Sequence, residues 1–280
     1  MADPRALAQE LAAAYANKQQ LAAPTTREAE FTLAAAYATE AELVRMRKNA
    51  GRCTVGLKVG FANRAMWRAL KLDTLVWAHM YDDTVRYADA CAPEPGQRRT
   101  NAATLSLARA ISPKIEPEIV FKMKAPLAAT TDAAIALEAV EWLALGFEII
   151  DCPYDGWKYQ PADFVAAYGL HAALVVGEPH PVTSANIADL VEQLPVFKVR
   201  LSKDGQLVEE GSGRNSLRSP ALCLAELASA MARQEGAGPL AAGDLVSCGT
   251  LTESMPIQPG ATWTASVEGI DLPTLTLTLV

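Results

Sequence analysis

The chain has no basic surplus: 25 lysines and arginines are set against 32 aspartates and glutamates, for a net charge of −7. Nucleic acid and anionic membrane both call for a cationic surface, so neither is expected as a partner. No apolar stretch is long enough to span a bilayer. The start, Met1-Ala2-Asp3-Pro4, has no basic run ahead of an apolar one, so no secretion leader is expected. The five cysteines, Cys53, Cys91, Cys152, Cys223 and Cys248, are odd in number and nowhere at zinc-ligand or redox-motif spacing. That predicts reduced thiols in a cytoplasmic protein. Internal repeats and low-complexity linkers are missing as well. What is present is 280 residues, half of them apolar, enough to bury one large core.

The first fifty residues are rich in Ala, Leu, Glu and Arg and read as two or three helices, with Pro24-Thr25-Thr26-Arg27-Glu28 as a break and a threonine-capped restart. After Gly51 the chain turns to short β-branched runs punctuated by Gly, Pro and Asp. Strands are expected at Thr54–Phe61, Glu118–Met123, Phe147–Ile150, Ala173–Val176 and Phe197–Leu201, then at Gln206–Glu209, Asp244–Cys248, Thr262–Val267 and Thr274–Leu279. Lys203-Asp204-Gly205 marks a tight turn, which makes Phe197–Glu210 a hairpin. Helices are expected at Ser219–Gln234 and Asp132–Leu145. The sum is an α+β chain: a helical segment over 1–50 and a domain over 51–280 built on a mixed, strongly curved sheet.

Three segments carry chemistry. In Lys114-Ile115-Glu116-Pro117-Glu118-Ile119, residues two apart on a strand share a face, so Glu116 and Glu118 point the same way. Two such carboxylates are either an exposed acidic edge or a pair that needs a cation between them, and a hard ion such as Mg²⁺ or Mn²⁺ suits oxygen ligands. In Gly146-Phe147-Glu148-Ile149-Ile150-Asp151 a glutamate interrupts a core-like strand and needs a partner, which makes it a candidate third ligand, ranked above Asp151, which falls on the other face of a regular strand. In Gly56-Leu57-Lys58-Val59-Gly60 the lysine either snorkels from a strand edge or is buried. Burial lowers a lysine's pKa and fits it to move protons.

Taken in order, these segments resemble the fumarylacetoacetate hydrolase superfamily, in its 2-oxopent-4-enoate hydratase and 4-oxalocrotonate decarboxylase branch. The resemblance runs from about Gly51 onward and takes in Gly211-Ser212-Gly213, Ala242-Gly243-Asp244, Gly249-Thr250 and Gln258-Pro259-Gly260. It implies a β-sheet roll with flanking helices, assembled as a homodimer or higher homo-oligomer. It also implies Glu116, Glu118 and Glu148 as ligands to Mg²⁺ or Mn²⁺, Lys58 as the catalytic lysine, and Thr250 beside the substrate. The implied activity is a metal-dependent lyase, decarboxylase or hydratase, acting on a small unsaturated 2-oxo acid or its dienol through a metal-bound enolate. An acylpyruvate C–C hydrolase, or a degenerate member that binds metal and 2-oxo acid without turnover, is the alternative.

The sequence also departs from that family. Hydratases of the branch carry an aspartate where this chain has Val76, in Leu75-Val76-Trp77-Ala78, and His79 is the candidate to replace it. The polar residues that relatives place near 166–171 give way to Tyr168 and His171, which suggests a reshaped pocket. Lys158, in Gly156-Trp157-Lys158-Tyr159, matches a lysine of the decarboxylase branch. His180, between two prolines, reads as surface. A hydrolase would need a carboxylate–histidine pair to activate water, and no such pair is evident in the sequence.

Overall fold

The computed structural model describes residues 3–91, 99–234 and 236–280. The chain opens with helices α1 (Pro4–Asn17), α2 (Pro24–Arg27) and α3 (Leu33–Asn49). Asp3 caps α1 and Thr32 caps α3 through their side chains, each satisfying a backbone N–H that the first turn leaves open. The restart expected at Thr25 is a single turn with Pro24 at its head and Ala23 as its cap. Thr25 instead gives its backbone N–H and hydroxyl to the buried carboxylate of Asp163.

There follow β1 (Thr54–Gly60), α4 (Arg64–Leu70), β2 (Val76–Tyr81), β3 (Val85–Tyr87), β4 (Asp89–Cys91), β5 (Thr100–Leu105) and β6 (Pro113–Met123). Next come α5 (Ala133–Glu138), β7 (Val140–Asp151), α6 (Pro161–Ala166), β8 (His171–Val176), β9 (His180–Pro181) and α7 (Ile187–Gln193). The remainder is β10 (Lys198–Lys203), β11 (Gln206–Ser212), α8 (Pro220–Arg233), β12 (Leu245–Ser247), β13 (Met255–Pro256), β14 (Thr262–Glu268) and β15 (Thr274–Leu279). The hairpin expected around Asp204-Gly205 is β10–β11. Lys203 pairs with Gln206, and both turn residues take positive φ, 51° and 79°, as a two-residue type I′ turn demands.

The helix expected over Asp132–Leu145 is wrong. It stops at Glu138, and the chain passes directly into a twelve-residue strand. Leu143, Leu145, Phe147 and Ile149 alternate with Ala144, Gly146 and Glu148, which is the period of a strand. Pairing along the whole of β6, from Pro113↔Asp151 to Met123↔Val140, outweighs the local helix preference of the alanines and leucines before it.

The strands form a mixed, curled arrangement of two sheets. The nine-stranded sheet runs β2-β1-β12-β6-β7-β8-β3, with β13 on β6 and β9 on β7; the six-stranded sheet runs β11-β10-β14-β15-β5-β4. One face of the larger sheet carries Leu57, Val59, Ile119, Phe121, Phe147 and Ile149 into the main core beneath α8. Each such large side chain, fully buried, contributes about 1.5–3 kcal/mol. The opposite face carries the charged residues, and a second apolar cluster joins α1 and α3 to α6 and the end of β7 there. All five cysteines are free, with Cys53 and Cys91 exposed. Among the described residues no helix is long and apolar enough to cross a membrane.

Candidate metal centre

Sheet register assembles the site. Glu116 on β6 pairs directly with Glu148 on β7, so these two side chains share a face with Glu118. Strand β12 separates β6 from β1, with Ser247 paired to Val120 on one side and to Lys58 on the other. Lys58 therefore stands on the same face, beside the glutamates. One oxygen from each of Glu116, Glu118 and Glu148 lies within 4.8 Å of the others. All four side chains are buried, with Lys58 1% and both Glu118 and Glu148 0% exposed, which rules out a snorkelling lysine or an exposed acidic edge.

Each carboxylate is anchored by one oxygen. Ser254 donates to Glu116 Oε1 at 2.9 Å. Glu118 Oε2 accepts from Ser247 at 2.6 Å and from the backbone N–H of Gly249 at 2.8 Å. His171 Nδ1 donates to Glu148 Oε1 at 2.9 Å, and its other nitrogen meets Thr84 Oγ1 at 2.9 Å. The second oxygens of Glu118 and Glu148 make no hydrogen bond. Glu118 Oε1 is fully buried with no hydrogen-bond partner, and Glu148 Oε2 has Lys58 Nζ 3.0 Å away in a geometry too skewed for a hydrogen bond. A buried carboxylate oxygen without a partner is expensive unless a cation meets it. The residues present fit a hard divalent ion.

Electrostatics point the same way. Burial, with Glu148 adding to it, pushes the Glu116 carboxyl up to about 7 against the pull of Lys58. Burial together with its two glutamate neighbours raises Glu118 well above the carboxylate range. Burial alone would raise Glu148 too, but Lys58 and His171 outweigh it and hold that carboxyl below its ordinary value. One ammonium cannot neutralise three buried carboxylates, so their mutual repulsion adds to burial in raising Glu116 and Glu118. Lys58 departs from the sequence expectation. Burial does press its pKa down, but the charges of Glu148, Glu116 and Glu118 carry it above the ordinary value.

A left-handed turn ties the lysine down. Tyr168, Gly169 and Leu170 all have φ between 56° and 60°, a conformation that disfavours the two larger residues by about 1–2 kcal/mol each. Strain of this kind persists where surrounding contacts fix it. The turn points the Gly169 carbonyl at Lys58 Nζ, 3.0 Å away, and delivers His171 to Glu148 at the start of β8. A side chain on Gly169 would meet Lys58 Cδ and Ala78 Cβ, both at 2.8 Å, so the backbone approaches as closely as only glycine permits.

The other expected site residues take different places. His79 pairs with Leu57, one residue out of step with Ala78↔Lys58, and so lies on the opposite face of β2 from the lysine. Its Nδ1 meets the buried Glu40 at 2.8 Å. His171 is consumed in holding Glu148 and does not open toward a substrate. Two of the carboxylate–histidine pairs that the sequence did not reveal thus have a buried carboxylate, one across the sheet and one with both ring nitrogens engaged; the third, His180 with Asp271 at 4.0 Å, has an exposed one. Lys158 is exposed, Thr250 bonds locally to the Thr252 carbonyl, and Val76 is buried in the second apolar cluster. Asp151 anchors the backbone N–H groups of Ile111 and Ser112. Ser247 and Ser254 were missed, being ordinary residues whose partners lie more than a hundred positions away.

Residues 93–280 match the family model described as Fumarylacetoacetate (FAA) hydrolase C-terminal. The chain is 30% identical to a 4-oxalocrotonate decarboxylase from Pseudomonas sp. over 81% of its length and 80% of that protein's. It is 28% identical to a 2-hydroxyhexa-2,4-dienoate hydratase from Comamonas testosteroni, covering 94% of this chain and 92% of the relative. Among solved structures, 4-oxalocrotonate decarboxylase from Pseudomonas putida G7, complexed with magnesium and adipate, superposes with a TM-score of 0.84 at 25% identity, over 99% of this chain and 97% of that one.

Proposed function

Because this chain belongs to the fumarylacetoacetate hydrolase family, we propose that it is a divalent-metal-dependent lyase that decarboxylates or hydrates a small unsaturated 2-oxo acid or its dienol. The observation that carries this reading is the convergence of three buried carboxylates, with one oxygen from each within 4.8 Å of the others and buried oxygens of Glu118 and Glu148 left without a hydrogen-bond partner. Glu116, Glu118 and Glu148 would hold Mg²⁺ or Mn²⁺. When bound, the ion supplies Lewis acidity toward the oxygens of a 2-oxo acid and steadies the negative charge that grows there.

The chain's own residues do the rest. His171 and Thr84 orient Glu148; Ser247 and the Gly249 amide orient Glu118. Lys58 is charged, and one of its protons is held by the Gly169 carbonyl. Its remaining protons are available to the carbon that loses CO₂ or accepts a proton. Val76, with no titrating group and surrounded by apolar side chains, favours decarboxylation over water addition. The two exposed free thiols suit a reducing cytoplasm, and the assembly is proposed as a homodimer or larger, which sedimentation would measure.

The test is calorimetric titration of metal-stripped protein with Mg²⁺ and Mn²⁺, with and without oxalate. Binding that oxalate tightens supports the site, after which CO₂ release and water addition are assayed on 2-oxo acids. No binding of either ion under either condition sinks the proposal.

A further inference from the structure

The left-handed turn that reaches Lys58 is itself gripped by the first fifty residues. Lys58 Nζ has the Gly169 carbonyl and Glu148 Oε2 each 3.0 Å away. Both depend on the turn, since Gly169 belongs to it and His171, which follows it, orients Glu148. The direction of the ammonium is therefore set by the backbone of residues 167–171. Tyr168 and Leu170 hold positive φ against their own preference, so contacts from elsewhere must fix the conformation.

Helix α1 supplies the first of these contacts. The Tyr15 ring meets the Tyr168 ring edge-on at 5.8 Å. The Tyr15 hydroxyl donates to the Asp151 carbonyl at 2.9 Å, with the Ala167 carbonyl 3.3 Å away as a second acceptor. Ala167 opens the turn, and its carbonyl also accepts the N–H of Leu170 at 2.8 Å. Tyr168 meets a second ring, that of Tyr81, edge-on at 6.2 Å. Tyr81 carries the Arg47 guanidinium of α3, 4.6 Å from its ring centroid, and Asp83 pairs with that guanidinium. Leu170 is fully buried, in the cluster that holds Leu7, Leu11 and Ala36 of the same two helices. Edge-on rings and a cation over a ring are directional contacts, so they fix the place of Tyr168 more closely than apolar burial alone.

We infer that Tyr15 and Tyr168 are positioning residues for Lys58, through which the helical segment 1–50 aims the ammonium at the carbon that takes its proton. This rests on the lyase reading above, in which Lys58 gives that proton. His171 has further supports, its strand pairing with Ile150 and its contact with Thr84. Loosening the turn should therefore shift the Gly169 carbonyl before it shifts Glu148, and slow proton transfer more than it weakens metal binding.

The experiment uses Mg²⁺-loaded protein and the enol of pyruvate, released from phosphoenolpyruvate by a phosphatase and followed by ultraviolet absorbance as it becomes pyruvate. In that step C3 takes a proton from the Lys58 ammonium, the enol hydroxyl gives its own to solvent, and solvent restores the lysine. Tyr168→Gly removes the ring together with the conformational cost, so the backbone can keep the turn without strain. It should lower kcat by about 10–100-fold with KM and Mg²⁺ affinity unchanged, whereas Tyr168→Phe should keep the wild-type kcat. Tyr15→Phe, which loses the hydroxyl and keeps the ring, should show a smaller loss of the same kind, and it carries the test if Tyr168→Gly does not fold. In the metal-free protein, hydrogen exchange should quicken at the Leu170 amide of both variants and stay at the wild-type rate along β7. Wild-type kcat in the variants overturns the inference. So does a loss matched by a rise in KM or a fall in Mg²⁺ affinity, or exchange that quickens as much along β7 as at Leu170. Each of these leaves the lyase reading intact, whereas a wild type that does not act on the enol overturns both.

Discussion

At the scale of single residues, the candidate site is a set of carboxylates that the proposed function divides between structural anchor and metal ligand. Glu118→Gln should keep its hydrogen bonds from Ser247 and Gly249 through the amide oxygen and resemble the protonated acid of the metal-free state. The variant should therefore melt at or above the wild-type temperature without metal and lose at least about 100-fold in Mg²⁺ affinity. His171→Ala removes the anchor of Glu148 and should weaken Mg²⁺ or Mn²⁺ binding by about 10–100-fold in the same titration. Glu116 gives the pH dependence. Its folded-state value of about 7 stands above the ordinary 4.5, so the folded protein binds more protons than the unfolded one between those limits. Stability of the metal-free protein should fall at this residue as pH rises from about 4.5 through about 7, by on the order of 3 kcal/mol at most. Melting the wild type beside Glu116→Gln across that range isolates the effect, and a constant difference between the two would refute it. Saturating Mg²⁺ should flatten the slope.

At the scale of elements, the decisive piece is the left-handed turn ahead of β8. Gly169→Ala places a methyl 2.8 Å from Lys58 Cδ in a conformation alanine resists. It should destabilise the protein by about 1–3 kcal/mol and depress turnover more than metal affinity, read by melts, kinetics and titration of one preparation. Nothing in the local sequence announced this turn, because two of its three residues, Tyr168 and Leu170, are poor candidates for positive φ. The glutamates were legible for the opposite reason. Glu116 and Glu118 share a two-residue period, and Glu148 breaks an apolar run, so each conflicts with its surroundings unless chemistry explains it. The period of β7 was legible too, in Leu143, Leu145, Phe147 and Ile149, but a helical reading of the preceding alanines ran over its first half. The face occupied by His79 could not be read at all, since it depends on how β2 registers against β1.

At the scale of the whole molecule, the helical segment 1–50 and the remainder share an apolar cluster. Leu7, Leu11 and Ala36 pack with Val76, Phe164, Val165 and Leu170. The Tyr15 hydroxyl donates to the Asp151 carbonyl, and Thr25 binds Asp163. We propose that the two segments form one cooperative unit, for which calorimetry should record a single unfolding transition; two resolved transitions would disprove it.

The position of β12 also has a consequence for biosynthesis. This three-residue strand, Leu245–Ser247, lies between β1 and β6, both made far earlier. Until it has left the ribosome, Lys58 and the glutamates lack the strand that sets them side by side, and Glu118 lacks Ser247 and Gly249. Strand β15, late in the chain, likewise sits between β14 and β5. Loops closed over such separations form slowly. The nascent chain should therefore acquire metal only after Leu245–Ser247 has left the ribosome, and ribosome-bound chains arrested before Leu245 should fail to retain Mn²⁺ that chains with Leu279 clear of the exit tunnel hold.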